Sequence, residues 1–216
     1  MNVENDGSHV VSPADLAVLV EDLADADVAA PLVVGADGCP DAWSSALPTP
    51  GRLFLEWALL PDEPVRLLRR LPVEKWRRPT RPERVEAVTG ALLVTRTALL
   101  RQRPLPEEYF LYWEESAWFH ALARWGKVVV LDPTVRVTHL GGRADVRPEK
   151  SRLMARNAVR CVQRTQGRSA AAAAWPVVVL WQLRLWVTAW LRRDRQLSAA
   201  RRAGVAAAVL AYRELW

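Results

Sequence analysis

Two carboxylates stand side by side at Glu114-Glu115, directly after the aromatic run Tyr109-Phe110-Leu111-Tyr112-Trp113. At the start of a helix, such a carboxylate meets free backbone N–H groups and the positive end of the helix dipole, which stabilise its ionised, proton-accepting form. Neighbouring helical residues point in different directions, so one glutamate can face a cleft while the other is tied to structure. Acids at helix N-termini also occur for purely structural reasons. A second acidic group, Glu4-Asn5-Asp6, follows a short strand-like start over residues 1–3. Side chains with that spacing at a strand end can offer oxygens to a hard divalent cation, which in turn binds phosphate. His139, beside Gly141-Gly142, brings an imidazole that serves as a metal ligand or simply as a hydrogen-bonding group. Cys39 and Cys161 are far apart and belong to no CxxC pair, which argues against a structural zinc site and a secreted disulfide framework.

These groups need elements to hold them. Ser12-Pro13-Ala14-Asp15, ahead of Leu16, Leu19, Val20 and Leu23, predicts a helix to about Asp25 with Ser12 as its N-cap. Residues 28–34 form a Val-rich apolar run that predicts a buried strand. Over residues 35–82 prolines and arginines dominate; loops around one short helix at 65–71 are expected, and so long an irregular stretch usually shapes a binding surface. Residues 85–95 are strand-like but broken at Gly90, where the missing side chain lets a backbone or ligand come close. A helix over residues 114–125, closed by Gly126, should lead into strands at 127–131 and 135–139. Strand and helix alternate here, so an α/β sheet is expected for residues 1–145.

Beyond Arg147 the pattern is helical only. Arg152, Arg156, Arg160, Arg164 and Arg168 recur every four residues and so share one helix face. Like charges at that spacing repel, so solvent or something anionic must face them. The next helix carries Trp175, Trp181, Trp186 and Trp190 and runs into Arg192, Arg193 and Arg195. Indoles flanked by arginines suit the headgroup layer of an anionic bilayer; the alternative is that the tryptophans pack on the sheet domain and the arginines are solvated. Gln182 and Arg184, near the middle of the apolar residues 170–191, favour a helix lying on or packed under something over one that spans.

In order and spacing, residues 85–145 resemble the second half of the catalytic domain of family 2 glycosyltransferases, the inverting GT-A enzymes that include rhamnosyl- and galactofuranosyltransferases. The matching residues are Thr89-Gly90-Ala91-Leu92-Leu93 with Arg96, then Phe110 through Glu115, Trp118, Gly126, Pro133, and Val137-Thr138-His139-Leu140-Gly141-Gly142. Asn5-Asp6 resembles the family's Asp motif, and Arg156-Asn157 resembles an Arg-Asn pair in the tail of many members. The resemblance implies a partial GT-A sheet over residues 1–147 and a basic, Trp-rich helical tail over 148–216. It places the catalytic base on Glu115, with Glu114 beside it, and a substrate site on Thr89, Gly90, Tyr112, Trp113 and Trp118. It implies Mg²⁺ or Mn²⁺ held by Asp6 and His139. A nucleotide-sugar donor and a glycan or polyprenyl-linked acceptor are the implied partners. The family commonly has an Asp where Glu115 stands and a second acid where Ala117 stands. Its first β/α units, which bind the nucleotide, would precede Met1, so the expectation is a truncated chain, either inactive alone or completed by another polypeptide.

Length and charge bound these expectations. The 216 residues, half of them hydrophobic with 25% charged, can bury a core, which argues against disorder. The net charge of +6 could suggest nucleic acid, but residues 1–50 hold nine acids and no Lys or Arg, whereas residues 151–216 hold twelve arginines against two acids. The basicity therefore belongs to the C-terminal part, and no nucleic-acid partner is expected. An acidic start without an apolar signal core predicts a cytoplasmic protein, and the tryptophans and arginines of the C-terminal part predict that it is peripheral on the inner face of the cell membrane. The rival to an enzyme is a non-catalytic remnant or a module that docks on membranes or a partner.

Overall fold

The computed structural model describes residues 11–35, 44–45, 47–59, 79–139 and 147–214. They divide into two compact units of interleaved segments. One comprises Met1–Leu47, Pro72–Leu105 and Trp118–Gly142; the other comprises Pro48–Leu71, Pro106–Ala117 and Arg143–Trp216. The expected tail thus shares its unit with two earlier pieces of chain.

The first unit is α/β. Helix α1 (Pro13–Asp22) begins where its capping signals place it: the Ser12 hydroxyl accepts from the Asp15 N–H, and the Asp15 carboxylate accepts from the Ser12 N–H. Strand β1 (Val28–Val34) is buried along its whole length. The rest comprises β2 (Ser44–Ser45), β3 (Glu83–Val85), β4 (Ala87–Val88), β5 (Val94–Thr95), helix α3 (Thr97–Gln102), part of helix α4 (Glu114–Arg124) and strand β6 (Val129–Thr138). The four-stranded sheet has the order β3-β6-β1-β5, with β1 parallel to β6 and both edge strands antiparallel; β2 and β4 form a separate antiparallel pair. Successive strand residues point to opposite faces. Accordingly, Val28, Ala30, Leu32 and Val34 pack with Trp118, Phe119 and Leu122 of α4, whereas Ala29 packs with Leu19 and Leu23. Cover on both faces explains why β1 reads as a continuous apolar run.

Two expected strands, 127–131 and 135–139, are one strand here. Pairing with β1 slips between Pro31 and Leu32, so that Pro31 meets Asp132 and Leu32 meets Arg136. Pro31 donates no ladder hydrogen bond, which suits it to an irregularity. Across from it, Asp132 is buried and accepts from the Thr134 N–H (2.8 Å) and hydroxyl (2.6 Å), satisfying polar groups at the slip. The expected strand at 85–95 is instead three fragments with a turn at Gly90-Ala91. The expected helix at 65–71 lies outside the described residues.

The second unit is helical. Helices α5 (Pro148–Gln166), α6 (Arg168–Leu191) and α7 (Arg195–Leu210) pack mutually, and a short α2 (Pro50–Arg52) runs into a π-helical turn, Leu53–Leu59, against α6. Sequence periodicity does not foretell that π-turn. Small residues line the interior: Ala155, Ala158, Ala171, Ala174 and Ala208 let the helices approach closely. A Cβ on Gly204 would press on Oε1 of the buried Gln182, which would have to shift to make room where α7 meets α6. By length and composition α6 could cross a membrane.

The expected column of five arginines is cut at Gly167 (φ 93°), which ends α5: Arg152, Arg156, Arg160 and Arg164 lie on that helix, whereas Arg168 begins α6. Arg152 pairs with Glu149 (3.6 Å) and Arg164 with Glu108 (3.7 Å), while Arg160 donates to the Glu108 carbonyl (2.9 Å). The four tryptophans of α6 split. Trp181 is buried edge-on against Trp57 at 4.7 Å between centroids, and Trp175 donates to the Ala208 carbonyl (2.8 Å). Trp190 is 64% exposed and Trp186 half-buried.

Candidate functional site

The second unit holds Tyr112, Trp113, Glu114 and Glu115, on and just before the first turn of α4. The backbone that delivers them is strained. Phe110, Tyr112 and Trp113 all have positive φ, at 59°, 66° and 75°, a region that non-glycine residues seldom enter. Phe110 pairs φ 59° with ψ −48°, and the Leu111 N–H donates to the Tyr109 carbonyl at 2.6 Å. That is a γ-turn of the rare, φ-positive kind. Its tip is apolar and in solvent, since Phe110 is 87% exposed.

Such a turn persists only where its surroundings over-determine it. Here the clamp is Asn157 of α5, only 2% exposed, whose Nδ2 donates to the carbonyls of Tyr109 (2.8 Å), Leu111 (2.9 Å) and Tyr112 (3.3 Å). Trp113 fixes the far end: its indole N–H donates to the Met154 carbonyl (3.0 Å), and its ring lies 5.4 Å from that of Trp57. The Trp113 carbonyl then accepts the first helical hydrogen bond, from the Ala117 N–H. Glu114 and Glu115 follow at the dipole's positive end, as expected. Glu114 Oε2 is buried and has no hydrogen-bond partner among the described residues. Such an oxygen is costly to leave unpaired and can accept from a donor group.

Beneath the turn lie Tyr109 and Cys161. Burial, then the nearby negative charge of Glu115, pushes the Cys161 thiol up to about 12, so it stays protonated and is no nucleophile. Burial likewise raises the Tyr109 phenol. Both act as packing groups, and the Glu115 charge disfavours ionisation of the Cys161 thiol.

The first unit holds the other expected residues. Thr89 is half-buried and Gly90 exposed at a turn. Trp118 is buried against Phe119, and its indole N–H donates to the Arg103 carbonyl (2.8 Å). Trp118 and Trp113, expected to touch substrate, are thus both buried with their single N–H groups used on backbone; they anchor rather than offer an open edge. His139 directly follows β6, half-buried, with its backbone N–H on the Val34 carbonyl (2.7 Å). Asp6 lies outside the described residues. Among the described residues no three His, Cys, Asp or Glu side chains converge as a metal site.

Type and spacing do not point to Trp57, and Asn157 and Phe110 enter the sequence reading only within the family resemblance and the aromatic run, with no site role. A signal for Asn157 exists, because it is a polar residue among the apolar positions Ala155, Ala158 and Val162. No model of a known protein family matches this chain, and no curated protein matches it significantly.

Proposed function

We propose that this chain carries the catalytic carboxylates of an inverting, family 2-type glycosyltransferase of GT-A architecture. It would transfer a hexose from a nucleotide sugar to a lipid-linked or cell-envelope glycan acceptor at the cytoplasmic face of a membrane. The observation that carries this reading is the strained aromatic turn, clamped by Asn157, that ends in Glu114-Glu115. Strain of this kind clusters where groups must be held for chemistry. In the proposed reaction Glu115 takes the proton of the acceptor hydroxyl as that oxygen attacks the sugar's C1, and the nucleoside diphosphate departs from the opposite side with inversion. Asp6 and His139 would hold Mg²⁺ or Mn²⁺, which offsets charge on the diphosphate.

The test offers the purified full chain radiolabelled nucleoside diphosphate hexoses, a divalent metal and extracted polyprenyl-linked acceptors. Any transfer should slow by about a hundredfold or more in Glu115→Gln, with donor binding kept. Unchanged turnover in Glu115→Gln removes it as the base. A second reading, a docking module without catalysis, is favoured by the exposed Trp190 and Leu191 beside a cluster of arginines. Absence of transfer with every donor, in a folded chain, favours that reading.

A further inference from the structure

Between α6 and α7 the chain turns within three residues. The N–H groups of Arg192, Arg193 and Asp194 donate back to the carbonyls of Thr188, Trp190 and Ala189, and Arg193 adopts φ 59°. Asp194 then caps α7, its carboxylate accepting from the Leu197 N–H at 2.9 Å. This corner bounds an open cleft of about 310 Å³ lined by Trp186, Trp190, Arg193, Asp194, Arg195 and Arg202. All three arginines are exposed, and among the described residues no carboxylate forms an ion pair with any of them. Asp194, the one acid in the lining, already has its helix-capping role. Next to the cleft, Val187, Trp190 and Leu191 are exposed, the last two to 64% and 66%.

An anion would pair with the exposed arginines, and an apolar medium would cover Trp190 and Leu191. A soluble phosphate provides only the first. An anionic bilayer provides both, because indoles settle at the headgroup layer, apolar side chains reach the acyl boundary, and arginines take lipid phosphates. We propose that the α6–α7 corner is a docking site for an anionic lipid surface, with headgroup phosphates in the cleft on Arg193, Arg195 and Arg202. This site stands independently of the glycosyl-transfer reading.

Flotation of the full chain with vesicles of phosphatidylcholine alone, or with phosphatidylglycerol added, tests it. The chain should float with the anionic vesicles and stay behind with the neutral ones. Arg193→Gln/Arg195→Gln/Arg202→Gln should weaken partitioning by about a hundredfold, at roughly fivefold per arginine. Trp190→Ala, which keeps every charge, should weaken it about tenfold. Arg81→Gln/Arg84→Gln/Arg101→Gln removes the same charge from exposed positions of the other unit and should change it by no more than a few-fold. All these positions are exposed, and far-UV circular dichroism verifies that each variant is folded. Failure to float with anionic vesicles, equal flotation with neutral ones, or equal losses from the two arginine triples would overturn the assignment.

Discussion

Asn157 is the residue on which the candidate site turns. An amide –NH₂ has two hydrogens, and here they serve three carbonyls of one short turn, so one is shared. Asn157→Leu keeps the volume and removes both donors, leaving buried carbonyls unpaired beneath a turn that is already strained. Unfolding in urea should show a loss of about 2 kcal/mol, and a midpoint equal to that of the native chain would show that Asn157 does not hold the turn. The glutamate pair and the aromatic run before it are legible in the sequence, as is their place at a helix start. The positive φ values are not, because Phe, Tyr and Trp carry no preference for that region and only the contact with α5, some 45 residues later, selects it. Similarly, the resemblance sets Trp113 and Trp118 at a substrate site, and no sequence signal shows that the carbonyls of Met154 and Arg103 take up their indole N–H groups.

Among elements, β1 and α1 were the most legible. An unbroken apolar run can only be a strand covered on both faces or part of a buried helix, and its short length favours the strand. Residue 27 ties this strand's start to β6. The Asp27 carboxylate accepts from the Val128 N–H (2.9 Å) and pairs with Lys127 (3.0 Å). Burial opposes ionisation, yet that backbone hydrogen bond, Lys127 and Arg96 together outweigh it and hold Asp27 below the usual carboxylate value of 3.8. A lowered folded value contributes stability that is complete above pH 3.8 and is lost as pH falls through the folded value. Asp27→Asn should therefore cost about 1 kcal/mol at neutral pH, and the gap from the native chain should close as urea melts are taken to progressively lower pH below 3.8. A gap of the same size at all pH values would mean that charge is not its source. β6 was less legible than β1: the Asp132-Pro133-Thr134 step looks like a break between strands, whereas the Asp132 side chain lets the strand carry through it. The π-turn of Leu53–Leu59 was not legible, since its support comes from α6, over a hundred residues later.

For the whole molecule, chain order concealed the organisation. Hydropathy and spacing report local periodicity, and on that basis residues 1–147 and 148–216 read as successive parts. The second unit instead gathers Pro48–Leu71 and Pro106–Ala117 with Arg143–Trp216, so the turn that presents Glu114 and Glu115 is packed on helical residues of the supposed tail. Charge reads more simply: the twelve arginines after residue 150 concentrate positive charge in this same unit, and three of them meet exposed indole at one corner. The central claim is that this chain handles a nucleotide sugar, and calorimetric titration of the full chain with nucleoside diphosphate hexoses, in Mg²⁺ or Mn²⁺, tests it most directly. Saturable binding of at least one donor is expected, with a Kd between about 1 μM and 1 mM; no binding of any of them, by a chain whose circular dichroism shows it folded, would contradict it.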